Sequence, residues 1–527
     1  MVVVDYLYED MKRLVNLPLD KMVNGLSELG APSEYEEETK KIITELTPNR
    51  PDWYSMEGLA RALRAYYGKG HPKYSVNKSD YEVVVDPSVA GIRPHTACAV
   101  VKGLELNDQR IIDLILLQEK LHATLGRKRK KLALGIYPIA AIKFPLNYTT
   151  MKPGAIRFVP LGHEKEMNAA EILELHEKGR DYGQVIKSLD RYPVYRDAAG
   201  KIMSLIPIIN SAETGKVDVG TKEVFIEVTG TDPHVCRAAL NIIVCTLADM
   251  GGKVYGVAVK YGKDTFLLPE LAPRKVKLEL GEVNGILGVE LDEKAVAGLL
   301  GRMGYGFERG HAIVPPYRAD IMGSIDVIED VAIAYGYNNF KPTIPDFFYP
   351  GKVDRGYETE DAAMVGMGFL EIKTFILTNR EKLKRVGYEG KVVEIMNPST
   401  EEFTIIRPNL VVDMLDTFAI NKMKGLPQRF YEIGLVQAPS GNRKRLIFGI
   451  MDRKVEFSDA RGCLQTLAEE AGLEFTLGKK KMAIFDPEIS CVVVSKGKEL
   501  GIFGKMNVGT MEKFGLGFEA YICELEL

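Results

Sequence analysis

Between Pro315 and Tyr337 the sequence reads PPYRADIMGSIDVIEDVAIAYGY, which places Asp320, Asp326, Glu329 and Asp330 within eleven positions. Carboxylates crowded this closely repel one another. A hard divalent cation relieves that repulsion with oxygen ligands, and magnesium commonly takes a few carboxylates while keeping several waters. The same residues also suit a solvated helix. If 324–336 is helical, Asp326, Glu329 and Asp330 stand at i, i+3 and i+4 on one arc of about 100°. Ile325, Ile328, Ala332 and Tyr335 then take the opposite face, and the acids lie near the positive end of the helix dipole. On the residues alone both readings stand.

Three other stretches carry groups that could do chemistry. Over 202–232, IMSLIPIINSAETGKVDVGTKEVFIEVTGTD sets small polar groups on strand-like sequence. Ser204, Asn210, Glu227 and Thr229 could line a pocket there, although ordinary strand and turn polarity accounts for them more simply. The run Arg127-Lys128-Arg129-Lys130-Lys131 could contact phosphates, or it could close a helix, where cations suit the dipole. GYGFERG at 304–310 resembles a phosphate loop only superficially, because it lacks the strand–turn–helix context of a dinucleotide fingerprint. It reads as a hairpin turn. Trp53, the single tryptophan, reads as a packing residue beside a helix cap.

The whole chain bounds these options. At about 150 residues per domain, 527 residues predict three or four domains. Hydrophobic content of 46% and charged content of 27% are an ordinary soluble balance. A net charge of −3 means that any surface for nucleic acid must be local. The start, MVVVDYLYEDMKRLV, has early acids and no small-residue cleavage site, so no signal peptide is expected. The tightest apolar run, IIDLILL, carries Asp113 and falls far short of the ~20 residues a membrane span needs. Six cysteines include no CxxC pair, which predicts reduced, mostly buried thiols in a cytosolic protein. Seven scattered histidines include no HxxxH pair, so no local histidine-based metal site is expected.

The elements that must position these groups fall into four segments. In 1–88, TPNRPDWYSMEGLARALRAYYG predicts a loop, a cap at Asp52 or Ser55, and a helix buried through Leu59, Ala62, Leu63 and Tyr66. GKGHPKYSVNKSDY reads as the connector that follows. In 89–268, RPHTACAVVKGL, IRFVPL, SLIPIINS and EVFIEVTGT read as strands. They alternate with a helix starting at Asn107 or Asp108 and another over 233–250, a mixed α+β pattern. In 269–341 a strand, a helix over 292–303 and a glycine-rich hairpin lead to the acidic stretch, which forms the second helix of this small domain. NNFKPTIPDFFYPG reads as a linker. In 342–527 a helix near 361–369 leads to the strands EIKTFILT, KVVEIMNP, RFYEIGLVQA and KRLIFGIM. A helix at 458–471 and four closing strands complete a mainly antiparallel sheet flanked by helices.

Taken together and in order, TPNRPDWYSMEGLARAL, PIINS…EVFIEVTGTD, VPPYRADIMGSIDVIEDVAIAYGYNN and RFYEIG resemble the β subunits of phenylalanine–tRNA ligases. The archaeal/eukaryotic type is the nearer form, and the resemblance spans nearly the whole chain. It implies a multidomain α+β chain: an N-terminal B1-like domain at 1–88, a B3/B4-like editing module at 89–268, a small helix-containing B5-like domain at 269–341, and a class II synthetase-like fold at 342–527. It implies a subunit of an α2β2 assembly in the cytoplasm that attaches phenylalanine to tRNA(Phe), with ATP bound in the partner α subunit. The last domain is expected to be catalytically silent. QRFYEIG keeps Arg429 and Glu432, but no arginine follows Gly515 and Gly517, where class II sites hold the γ-phosphate.

The resemblance also assigns residues. Asp320, Asp326, Glu329 and Asp330 match magnesium-associated carboxylates, with the ion ordering a contact to the α subunit. The B3/B4-like module is expected to hydrolyse tyrosine wrongly attached to tRNA(Phe), since a second site can select the added hydroxyl with polar groups. Glu227 would read that hydroxyl, while Ser204 and Thr229 would orient the substrate or a water. Two other classes remain: a stand-alone magnesium-dependent hydrolase built on 320–330, and an RNA-binding scaffold. The first lacks a nearby nucleophile or base, and the second predicts a basic domain that the charge balance does not supply.

Overall fold

A computed structural model describes residues 2–345, 349, 351, 356–438 and 441–527. The chain divides into two compact units, Met1–Ile344 and Pro345–Leu527. The expected linker falls at this division. Residues 341–345 carry no regular element, and 346–348, 350 and 352–355 lie outside the described residues.

The first unit opens with three antiparallel strands, Val2–Leu7, Lys41–Leu46 and Ser33–Glu36, beside the helix Met56–Tyr66. Ser55 is the cap of that helix, its hydroxyl accepting the Gly58 N–H at 3.1 Å. Asp52 instead takes both ends of the Arg50 guanidinium, which lies 3.6 Å over the buried Trp53 ring. Trp53 is therefore a packing residue, as expected.

A ten-stranded mixed sheet follows. Its strand Glu223–Gly230 lies between His95–Lys102 and Leu132–Pro138, all three antiparallel. Val224, Ile226 and Val228 are buried, and the helix Pro233–Asp249 packs on this part of the sheet. The residues expected to connect a 1–88 domain to the next are corrected here. Asn77–Val85 is a strand of this same sheet, paired in parallel with Lys253–Tyr261 and Leu146–Met151. Its run Val83-Val84-Val85 suits a strand flanked on both sides.

The basic run is also corrected. The helix Asp108–Ala123, capped by Asn107, ends four residues before Arg127. Arg127, Lys128 and Arg129 have φ of 46°, 54° and 64°, outside any right-handed helix.

Beyond the sheet, Arg274–Lys277, His311–Val314 and Gly306–Glu308 form a small antiparallel sheet. The helices Leu280–Leu287, Glu293–Arg302 and Ser324–Tyr335 accompany it. GYGFERG is a hairpin turn, with Arg309 and Gly310 at positive φ.

The second unit is built on a seven-stranded sheet, antiparallel except for one edge pair. Its strand Gly441–Asp452 carries the apolar run LIFGIM, and both faces are covered. Ile447 and Met451 face the helix Val411–Asn421, while Leu446, Phe448 and Ile450 join the cluster under Phe457–Glu470. EIKTFILT and KVVEIMNP, expected as full strands, reduce to two-residue pairs in a separate small sheet and at the main sheet's edge. Val411–Asn421 was not anticipated. The architecture is α+β and multidomain, with a C-terminal antiparallel sheet flanked by helices.

Candidate functional site

The acidic stretch folds around an arginine. Arg318 Nε and Nη2 bind Asp320 Oδ1 and Oδ2 at 2.8 and 2.6 Å, and its Nη1 binds Asp330 Oδ2 at 2.6 Å. The Tyr305 hydroxyl donates to the same Asp330 oxygen. Burial pushes the Asp320 carboxyl up, but the bidentate contact and charge of Arg318 hold it below its ordinary value. Asp326 Oδ2 accepts the N–H groups of Met322 and Gly323 at 2.6 and 2.9 Å, closing the start of its own helix. Glu329 is exposed.

The shared acidic arc is therefore split. Asp330 turns inward with Val327, Val331 and Ala334, while Ile325, expected on the core face, is 57% exposed. Two of the four expected magnesium ligands already neutralise a buried guanidinium, and a third caps a helix. Among the described residues, no group of three or more carboxylate, histidine or cysteine side chains is placed to hold an ion. The donor set of this chain fits an internal cation better than a metal.

Glu227 has a different setting. It is 3% exposed at the middle of its strand, opposite Cys98 on one neighbour and Gly135 on the other. A Cβ at Gly135 would lie 2.6 Å from both Glu227 Oε1 and the Tyr137 hydroxyl, so only glycine leaves room for this pair. The Tyr137 hydroxyl lies 3.2 Å from Glu227 Oε1 and 3.1 Å from Asn210 Oδ1. One phenolic proton cannot serve two acceptors. Burial pushes the Glu227 carboxyl up to about 8, so near neutrality it is mostly protonated and supplies a proton of its own. Its Oε2 and the Ser204 hydroxyl are both buried and without a partner among the described residues.

Glu227 and Ser204 line a cavity of about 400 Å³ with Asn210, His122 and Arg129, within the ~300–1,000 Å³ typical of small-molecule sites. One wall is helical. Ile111, Leu114, Ile115, Gln118, Glu119 and His122 recur at spacings of three and four along Asp108–Ala123 and all face the cavity. His122 is buried, which pushes its imidazole down to about 4. Its Nε2 accepts the Leu134 N–H at 2.8 Å. The ring is neutral and that lone pair is used, so His122 is not poised as a base.

Thr229, grouped with Glu227 by the sequence, does not line the cavity. Its hydroxyl and carbonyl instead accept from Arg93 Nε and Nη2 at 3.2 and 2.9 Å. The two residues share a strand face, but two residues of rise carry Thr229 away from the cavity and under the guanidinium. Sequence reasoning missed Tyr137, Gly135 and His122, and singled out Arg129 only within the basic run. Only the helical stripe from Ile111 to His122 signalled a shared face.

In the second unit, Arg407 is among the most buried side chains. It binds Glu432 at 2.7 Å, Asp413 at 3.0 Å and Thr374 at 2.6 Å. Gly434 of the EIG sequence is required by this cluster, because a Cβ there would lie 2.5 Å from Arg407 Nη2. Arg429 donates to the Met367 carbonyl at 3.2 Å. Glu432 and Arg429 thus both hold the domain's own backbone and side chains.

Comparison with known proteins adds two family matches: the phenylalanyl-tRNA synthetase β-chain CLM domain over residues 352–527, and the tRNA synthetase B5 domain over 276–337. The phenylalanine–tRNA ligase β subunit of Archaeoglobus fulgidus is 37% identical over 541 aligned residues, covering 100% of this chain and 98% of that one. The corresponding subunit of Thermococcus sibiricus is 37% identical, covering 91% of this chain and 89% of its own. The crystal structure of an N-terminal fragment of the Pyrococcus horikoshii phenylalanyl-tRNA synthetase β subunit matches with a TM-score of 0.60 and 37% identity. It covers 63% of this chain and 99% of the fragment.

Proposed function

The chain belongs to the phenylalanine–tRNA ligase β-subunit family, and from that premise we propose that it works in the cytoplasm in an α2β2 assembly charging tRNA(Phe), while its own cavity removes tyrosine from mischarged tRNA(Phe). The aminoacylation site and the ATP belong to the α subunit in this reading. It is supported by the second unit, where Arg407 and Glu432 satisfy each other in the core. Among the described residues no helix is long and apolar enough to cross a membrane. The four segments 1–88, 89–268, 269–341 and 342–527 are kept as functional modules, with the strand Asn77–Val85 reassigned to the second.

One observation carries the editing proposal. A protonated Glu227 and the Ser204 hydroxyl face the same cavity with hydrogen-bonding capacity unspent. A tyrosyl group that enters offers a hydroxyl to satisfy them. A phenylalanyl group fills the same volume and leaves buried polar atoms unpaired. Sites built to hydrogen-bond a hydroxyl reject the analogue lacking it by as much as about 10⁴–10⁵-fold. Glu227 therefore reads the hydroxyl, and Tyr137, itself beside Asn210, fixes its carboxyl. Thr229 acts at a remove, through Arg93. His122 and Glu227 are both unsuited to act as a general base near neutral pH, which makes the cavity's task selection and positioning. Magnesium has no step here, and a stand-alone metal hydrolase at 320–330 is disfavoured because Arg318 takes up Asp320 and Asp330.

The test is deacylation of Tyr-tRNA(Phe) by the assembled enzyme with Glu227→Ala. Loss of at least tenfold in rate, with phenylalanine charging retained, supports the reading; an unchanged rate removes Glu227 from it.

A further inference from the structure

The basic run beyond the helix Asp108–Ala123 is a built feature. Arg127, Lys128 and Arg129 form three consecutive left-handed residues without a glycine among them. L-residues visit this region as single positions, so three in a row persist only where the surroundings over-determine them. Two arginines do so here. Arg93 Nη1 donates to the carbonyls of Arg129 and Lys130 at 3.2 and 3.3 Å, while the rest of its guanidinium holds Thr229. From the other side Arg129 folds inward. Its Nη1 donates to the Pro207 and Ile208 carbonyls at 3.1 and 2.7 Å, and its Nη2 binds Glu119 at 2.6 Å.

The consequence is a division of charge. Arg129 becomes a wall of the Glu227 cavity, 6% exposed, and its Nε–H finds no acceptor among the described residues. Arg127, Lys128 and Lys130 are left exposed, with no acidic partner among the described residues. Lys178, paired with Glu119 at 3.5 Å, and the exposed Lys216 line the same cavity. This concentration of cations stands out on a chain of net charge −3. A partner drawn here carries closely spaced negative charges and ends in a group small enough to enter the cavity beside it.

We propose that Arg127, Lys128 and Lys130 are a phosphate clamp that seats the single-stranded 3′ end of an RNA at the mouth of the Glu227 cavity. This rests on the editing reading above and deepens it. Arg129 couples the clamp to the wall, so that backbone phosphates are held outside while the terminal aminoacyl group enters. Phosphate contacts set position without reading sequence.

The test uses this chain assembled with its α subunit. The triple exchange Arg127→Gln, Lys128→Gln, Lys130→Gln touches only exposed side chains. The KM for Tyr-tRNA(Phe) deacylation should rise about tenfold with kcat within about twofold. The slope of log affinity against log salt should shrink by about 2, three cations at roughly 0.7 each. Phenylalanine charging should stay within about twofold. Binding of a CCA-ended acceptor-stem RNA, titrated against salt, gives the same slope without any reaction. If the wild type does not deacylate Tyr-tRNA(Phe) but the triple exchange still lowers the RNA-binding slope, editing fails and the clamp stands. Unchanged KM and unchanged slope overturn the clamp. Should the triple variant not fold, Arg127→Gln and Lys128→Gln singly must each reduce the slope by about 0.7.

Discussion

A single missing Cβ makes room for the pairing of Glu227 with Tyr137. At Gly135 any side chain would begin within 2.6 Å of both Glu227 Oε1 and the Tyr137 hydroxyl. Gly135→Ala should therefore displace the reading carboxyl, lower Tyr-tRNA(Phe) deacylation at least tenfold, and destabilise the chain by about 1–3 kcal/mol as overpacking does. Urea unfolding beside the deacylation assay checks both. Glu227 also leaves a mark on stability. Burial raises its carboxyl from the ordinary value of 4.5 to about 8 in the fold, so the native state holds a proton that the unfolded chain has released. That contribution is complete below about pH 4.5 and is lost as pH rises through 8. Glu227→Gln removes the titration, so the variant's stability relative to wild type should increase from pH 5 to pH 8.5. Parallel pH profiles for the two proteins would contradict the buried, protonated state. At this scale the sequence was a partial guide. Ser204, Asn210 and Glu227 were legible together as small polar groups on strand-like sequence that could line a pocket. Gly135 and Tyr137 were not, because their role depends on which residue lies across the ladder, and register is a property of the assembled sheet.

Elements show the same division between local and long-range information. The helix Asp108–Ala123 and its Asn107 cap were readable because capping and 3.6-residue periodicity are local. The basic run after it reads locally as a helix end, since no local rule anticipates a left-handed turn held by Arg93 from the loop before His95–Lys102. Likewise the acids of 320–330 were readable as a cluster. Their pairing with Arg318, only two residues before Asp320, required knowing that the chain turns back on itself. In the second unit, the Gln428–Ala438 strand and the helix Val411–Asn421 are joined through Arg407, which binds Glu432 on the first and Asp413 on the second. Arg407→Ala strands both carboxylates in the core and should cost about 3–5 kcal/mol. Denaturant unfolding of the full chain, followed by a probe in 356–527, measures it. A loss below about 1 kcal/mol would mean that the cluster is solvated.

For the whole molecule, the family was legible because several long stretches match it in sequence order, and it is borne out by a relative aligned over 100% of this chain and 98% of its own length. The boundary near 88 was not, because Asn77–Val85 lies before it yet joins a sheet whose other strands run as far as Asp264–Leu268. A chain whose class II-like domain spends Arg407 and Glu432 on its own core should not activate an amino acid alone. Phenylalanine-dependent ATP–pyrophosphate exchange should be absent from the isolated chain and appear with the α subunit. Exchange by the chain alone, or none in the pair, would contradict the division of labour. The most direct test of the account lies in the cavity itself: the rate at which the assembled enzyme deacylates Tyr-tRNA(Phe), with wild-type chain and with Glu227→Ala. Wild type should deacylate clearly and the variant should lose at least tenfold in rate, with phenylalanine charging intact. Equal rates for the two proteins would contradict it.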